Sequence, residues 1–375
     1  MTQRLAADVA VIGGGIIGLA CAYELVSRGK RVVVLERDSP GSGAGRVAAG
    51  MLAPVSESEA VDEAFIDLAL ASCSQYEEWT AGIAAASGLD CGYRTEGSLL
   101  LALHRDHEEE LQRLKAIQRR LNLTSEAISR DDILAREPFV SPRVVGGLSV
   151  PNDRQVDPRR LTAALSAALT AKGATVIQGA SATPVMEAGH TAGARAEEIE
   201  VTAETVLIAG GVWSVDVWPE AAGPLPLRPV KGQIFRLRGA PLVDHVIRTP
   251  DVYLVPRLDG ELVIGATSEE QGFDTTVTTW AVMDLLREAW RVLPGIAELE
   301  VAELSAGLRP ALRDHLPAIG PTTVEGLFVA TGHYRHGIML APVTATLVAD
   351  AIDGAISEPL RAFSPARFAS AGIGK

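Results

Sequence analysis

The chain has 375 residues, 47% of them hydrophobic and 22% charged, with a formal net charge of −13 and a sequence pI near 5.1. That is a globular composition with core enough for one large or two ordinary domains, and its negative charge excludes it as a binder of phosphate backbones, so no nucleic acid is expected. Its three cysteines, Cys21, Cys73 and Cys91, are odd in number and lack metal-ligand spacing, which argues against a disulfide framework and for a reducing compartment.

The first apolar stretch, "ADVAVIGGGIIGLACAYELV", is hydrophobic enough to imitate a signal peptide. It contains Asp8, successive glycines and Glu24, and it has no basic leading region. A buried strand, a turn and a helix of a cytoplasmic protein are expected instead. The strand is the short run after Asp8. The turn is Gly13-Gly14-Gly15-Ile16-Ile17-Gly18, and the second strand, "RVVVLE", ends on Glu36. G-x-G-x-x-G between a strand and a helix, with a carboxylate about twenty residues on, is the dinucleotide fingerprint in its proper context. Gly13 allows the tight turn, Gly15 lets a pyrophosphate approach the backbone, and Gly18 lets helix and strand pack closely. The helix N-terminus around Ile16 and Ile17 offers unpaired N–H groups to the phosphates. Glu36, beside Arg37, can accept from ribose hydroxyls. The competing reading is a glycine-rich turn that binds nothing, and the motif does not choose between NAD and FAD.

Further along, "DHEEELQRLKAIQRRLN" reads as a solvated amphipathic helix. "VDPRRLTAALSAALTAKGATVIQG" reads as a helix opened by Pro158 and then a strand. "TPVMEA" and "AETVLIAGGVWS" read as more strands. "PVKGQIFRLRG" and "DVYLVPRLDGELVIGATSE" alternate apolar and polar residues around Asp259-Gly260, an antiparallel hairpin signal. "GLFVATGHYRHGIMLAPVTATLVADAI" reads as a strand, a glycine turn and a long helix. The expected architecture is α/β: a discontinuous Rossmann-like nucleotide-binding domain (residues 1–83, 142–222 and 305–375) into which a mainly antiparallel α+β substrate domain (84–141 and 223–304) is inserted. The pairs His104/His107 and His333/His336 have no acidic or thiol company of the kind that suggests a structural metal site, so no metal is expected. No amphipathic membrane-facing helix is evident, so no membrane partner is expected either.

These segments together resemble the D-amino acid oxidase superfamily of flavoproteins, and within it the glycine oxidases of thiamine biosynthesis. The resemblance runs nearly end to end. It rests on "VIGGGIIG", "AAGMLAP" (Ala48 to Pro54), "PVKGQ" (Pro229 to Gln233), "YLVPR…GELVIGAT" (Tyr253 to Thr267), "GLRPALRDHLPAIG" and "GHYRHGIMLAP". It implies non-covalent FAD, a small amino acid substrate, molecular oxygen as acceptor, a homo-oligomer (a homotetramer in the family) and hand-off to a thiazole synthase. On the same fold, a D-amino acid dehydrogenase, a sarcosine oxidase or a non-catalytic FAD-binding protein are the alternatives. Sarcosine oxidases with covalent flavin need a C-terminal cysteine, and none follows Cys91.

The resemblance also assigns residues. Arg309 of "GLRP" would hold the substrate carboxylate, a role suited to a guanidinium fork that stays charged; a structural salt bridge is the plainer alternative. Tyr253 would donate to the same carboxylate, or else pack into the sheet. Arg335 would reach it too. His333, Tyr334, Arg335, His336, Gly337, Ile338 and Met339 would form the flavin-binding turn, with the two histidines placing backbone rather than moving protons. Met51 would lie beside the flavin near the substrate, Ala49 and Gly50 would touch the cofactor through backbone, and Val185 would hold the adenine side. The chain departs from the family pattern at Ala44 and Gly45, where a hydroxyl residue is usual, and at Asp251 and Ser268, where better-known glycine oxidases carry histidine and methionine. Arg313 and Asp314 are expected to pair with each other.

Overall fold

A computed structural model describes residues 2–58 and 62–372. Its nucleotide-type layer is a six-stranded sheet in the order Ala318–Pro321, Leu327–Thr331, Thr205–Ile208, Val9–Ile12, Val32–Glu36, Thr175–Gln178. All neighbours are parallel except the first pair, which is antiparallel. The runs "VAVI" and "VVVLE" are nearly all buried because both faces of this sheet are covered. On one face lie the helices Ile16–Ser27, Pro158–Ala171 and Ala341–Ile352. The first and last pack closely through small residues, among them Ala20, Ala22, Ala341, Ala345 and Ala349. The other face is covered by a four-stranded sheet in the order Gln3–Ala6, Ile199–Thr202, His190–Ala196, Thr183–Glu187.

The second body is an eight-stranded sheet in the order Glu300–Leu312, Leu227–Arg238, Glu261–Gly265, Tyr253–Pro256, Val246–Arg248, Ser98–Ala102, Gly146–Val150, Glu126–Ser129. Its pairings are antiparallel except that of Val246–Arg248 with Ser98–Ala102. The hairpin around Asp259-Gly260 pairs Tyr253 with Gly265. The sheet does not follow the sequence boundaries drawn at 141/142 and 304/305. Gly146–Val150 pairs with Ser98–Ala102, and the strand from Glu300 continues unbroken to Leu312. That strand and Leu227–Arg238 hold one register from Leu227 opposite Leu312 to Arg236 opposite Glu303, which sets Val230 opposite Arg309; the register then shifts, and Arg238 faces Glu300. The helix Thr279–Val292 closes the apolar underside of the sheet.

The helix Glu63–Ser87 has no counterpart among the sequence expectations; its many alanines blur the apolar period. Asp62 caps it by accepting from Ala64 N at 2.8 Å, and Gly88 ends it in the left-handed region. It braces the C-terminal turn: Ser72 Oγ donates to the Met339 carbonyl at 2.6 Å and the Tyr76 hydroxyl donates to that of Ile338. Asp314 pairs with Arg367 at 2.8 Å, not with its neighbour Arg313. Among the described residues no helix is long and apolar enough to cross a membrane.

Arg236, 1% exposed, is held in the eight-stranded sheet by Glu261. Removing one partner of a buried pair leaves an uncompensated charge. Glu261→Ala is therefore expected to lose about 3–5 kcal/mol in urea unfolding; a loss under about 1 kcal/mol would show that the pair is solvated.

Candidate functional site

The two bodies enclose a cleft of about 760 Å³, within the usual range for cofactor and substrate sites. One end is built by the glycine turn. Gly13, Gly15, Ile16, Ile17, Glu36 and Arg37 line it. Glu36 Oε2 accepts from Gly14 N at 2.5 Å and Oε1 from Asp38 N at 2.9 Å, so the carboxylate is fixed at the strand end. Arg37 lies over the Trp213 ring, 4.5 Å from its centroid, with Phe273 against the same ring. The three motif glycines answer to different constraints. Gly13 has φ +111°, and a Cβ there would lie 2.6 Å from the Ala209 carbonyl oxygen. A Cβ at Gly18 would lie 1.9 Å from the Gly13 carbonyl oxygen. Gly18 therefore lies outside the lining and serves the packing beneath it. A Cβ at Gly15 would meet no protein atom within 4 Å. The fold does not need glycine at 15; a ligand lying on the backbone does.

The middle of the cleft is lined by Ala44, Gly45, Ala49, Gly50 and Met51. A Cβ at Gly45 would make only ordinary contacts, the nearest at 3.9 Å, so the fold does not force the missing hydroxyl there. Met51 is fixed by pairing with Gln155. Val185 pairs with Gly193 in the four-stranded sheet and does not line the cleft; Ala180, Ser181 and Ala182 line it instead.

At the other end stands Arg309, half-buried. Its Nη1 donates to the carbonyls of Thr267 at 3.0 Å and Lys231 at 3.3 Å. Among the described residues no carboxylate pairs with it, so the plainer salt-bridge reading has no partner here. Bare backbone makes room for the clamp. A Cβ at Gly232 would lie 2.3 Å from Arg309 Nη1, and one at Gly265 would lie 2.4 Å from the Tyr253 hydroxyl. Burial raises the Tyr253 phenol above its ordinary value, with Arg309 opposing, so the hydroxyl remains a donor. Arg335 lines the same end, and its Nε donates to His336 Nε2 at 3.1 Å.

The turn from His333 to Met339 lies between the strand Leu327–Thr331 and the last long helix. Tyr334 takes φ +51°, and its N–H donates to the Pro310 carbonyl at 2.8 Å, tying the turn to the Arg309 strand. Tyr334, Gly337 and Ile338 line the cleft; His336 and Met339 sit behind it. His333 is buried, shares a 3.0 Å hydrogen bond with Thr344 Oγ1, and burial pushes its pKa down to about 3. Burial lowers His336 as well, against the pull of Glu57. Both rings are neutral at ordinary pH and place backbone.

Several lining residues carry no signal in the sequence. Glu57, in "VSESEA", meets Arg248 Nη1 at 3.1 Å, and His336 Nδ1 lies 3.4 Å away without hydrogen-bond geometry. Burial pushes Glu57 up, but the Arg248 and Arg335 guanidiniums outweigh it and hold the carboxyl well below its usual range. Asp153 lies behind, fully buried and accepting from Ser56 Oγ; burial pushes it up to about 6. None of these belongs to a recognisable spacing; only the paired sheets bring them together.

The FAD dependent oxidoreductase family profile matches residues 8–351, and the chain belongs to that family. Glycine oxidase from Geobacillus kaustophilus is 33% identical over 359 residues, covering 94% of each chain. The "Bifunctional protein ThiO/ThiG" of Trichormus variabilis is 36% identical over 359 residues, 94% of this chain and 54% of that protein. The chain thus spans about half the length of the first curated relatives it matches. Among solved structures, glycine oxidase from Bacillus cereus superposes with a TM-score of 0.89 at 30% identity, covering 95% of this chain and 98% of that one. The cofactor is FAD. The residues fit it: the open face at Gly15, Glu36 at the strand end, and a cleft running on to the Arg309 clamp.

The glycine arguments separate two variants. Gly15→Val is expected to purify folded but without flavin, whereas Gly18→Ala loses thermal stability as well; equal flavin content in Gly15→Val and parent would contradict the placement of the pyrophosphate. Asp153 gives a pH signature. Its pKa in the fold, about 6, lies above its ordinary 3.8, so its contribution is fully present below pH 3.8 and lost as pH rises through 6. Asp153→Asn is expected to gain about 2–3 kcal/mol on the parent between pH 4 and pH 8 in denaturant titrations. A gap that does not change with pH would place the carboxyl in solvent.

Proposed function

We propose that the protein is a FAD-dependent amine oxidase acting on glycine, sarcosine and small neutral D-amino acids. The observation that carries this is the Arg309 guanidinium, free of any acidic partner among the described residues, beside the Tyr253 hydroxyl in the cofactor cleft. A small carboxylate is the anion that such a fork accepts in two parallel hydrogen bonds. With Tyr253 and Arg335 it fixes the carboxylate, and with it the face of the α-carbon turned to the cofactor. Orientation in the cleft then supplies the catalysis. His333 and His336 are neutral and engaged, so they serve as supports and not as bases. FAD held by the Gly15 turn and Glu36 would supply a two-electron oxidation of the α-carbon, with dioxygen as the acceptor reduced to hydrogen peroxide. The substrate becomes an imine, and water converts the glycine imine to glyoxylate and ammonia. In keeping with the glycine oxidases of thiamine biosynthesis, we further propose that the imine feeds thiazole formation.

Ser268 and Asp251 border the substrate end. Ser268 is small, so a side chain larger than hydrogen is accommodated. Asp251 repels a second carboxylate. Peroxide release is expected from glycine, sarcosine and D-alanine, little from D-aspartate or D-glutamate, and none from L-amino acids. Arg309→Ala is expected to keep its yellow cofactor and raise KM for glycine by about 10- to 150-fold, from the 1.5–3 kcal/mol of a charge-assisted hydrogen bond. Near-parental KM in Arg309→Ala, or strong turnover of D-aspartate, would overturn the clamp or the pocket charge.

A further inference from the structure

At the outer rim of the substrate end, the fold does what the sequence spacing does not suggest. His104 and His107 stand one turn apart at the start of the helix Arg105–Arg120, with ring centroids 3.8 Å apart. The turn Thr249–Val252, which follows the strand Val246–Arg248 beside Ser98–Ala102, brings Asp251 up to them, and its Oδ2 accepts from His107 Nε2 at 3.0 Å. One ligand atom from each of the three residues lies within 4.8 Å of the other two, and among the described residues this is the one such group of three or more. Asp251 thus gives His107 a partner 144 residues away in sequence.

We propose that His104, His107 and Asp251 form a three-ligand site for a borderline divalent transition metal, completed by water. Two imidazoles and one carboxylate suit zinc, cobalt or nickel and discriminate against magnesium and calcium, which prefer all-oxygen shells. His107 is 5% exposed and is the fixed member. His104 and Asp251 are exposed and can close on the ion. Ligand bonds of about 2.0–2.2 Å require them to move inward. Asp251 is presented by backbone: its N–H donates to Thr249 Oγ1 at 3.3 Å, and Thr249 N–H donates to the Val252 carbonyl at 2.8 Å. The helix N-terminus opposes a cation, and the first-turn acids Asp106 and Glu108 offset it. Leu103 N–H reaches His107 Nδ1 at only 3.4 Å, a long contact. Binding at Nε2 moves the ring proton to Nδ1, so that weak hydrogen bond and the one to Asp251 are exchanged for metal bonds. Because Asp251 also lines the cleft, the ion would sit at the substrate entrance, and it is in the metal-free protein that Asp251 repels a second carboxylate.

The test is calorimetric titration of the flavin-loaded protein, free of any histidine tag, with zinc chloride in a non-chelating buffer. One saturable site per chain is expected, weakened at least about tenfold in His104→Gln and again in Asp251→Asn, with magnesium giving no competing heat. The absence of saturable zinc binding, equal affinity in parent and both variants, or equal affinity for magnesium would each overturn the proposal. None of these outcomes depends on the amine oxidase reading, so the two fail separately.

Discussion

A half-buried guanidinium that no carboxylate among the described residues pairs with is the constraint around which the substrate end is organised. Arginine is always charged, and burying it without an anion costs several kcal/mol unless other acceptors are supplied. Two backbone carbonyls, of Thr267 and Lys231, partly satisfy Arg309 while leaving its fork available. The price is structural precision around it. Its strand keeps one register against Leu227–Arg236, Gly232 is bare where any side chain would collide with the guanidinium, and the Tyr334 N–H fixes the following turn to Pro310.

The same strand ends tie the clamp to the cofactor end. The turn that follows Thr331 is held from outside by Ser72 and Tyr76 of the long helix Glu63–Ser87, and from within by His333 on Thr344. Behind the clamp, Glu57 balances Arg248 and Arg335, so the cationic end of the cleft is not left as three unopposed charges. The glycine turn at the far end is divided in labour: Gly13 and Gly18 let the protein pack on itself, and Gly15 leaves its backbone face for the ligand.

How much of this is legible in the sequence follows from how local each feature is. The strand–turn–helix of the nucleotide site is set by neighbours in the chain, and Gly13, Gly15 and Glu36 stand where the spacing puts them. Arg309 and Tyr253 are readable through motifs, and paired strands bring both to one cleft. Three features depend on distant partners and give no local sign. Glu57 acquires meaning only from Arg248, 191 residues away. The strand Gly146–Val150 joins the eight-stranded sheet because Ser98–Ala102 waits for it, not because its short "GGLSV" announces a strand. His104 and His107 look like solvated helix residues until Asp251 arrives. Val185 shows the converse: a motif match fixes a strand, but it does not decide which residues reach the cleft, and here residues 180–182, just before the strand Thr183–Glu187, line it.

The central claim is that the carboxylate clamp and the flavin serve one redox site. Visible spectroscopy of the flavin-loaded protein, mixed with glycine in the absence of oxygen, tests it most directly. The account predicts that the oxidised flavin bands bleach and return when air is admitted. A spectrum left unchanged by glycine, sarcosine and D-alanine alike would contradict it, and would leave Arg309 guarding an anion that is not a substrate.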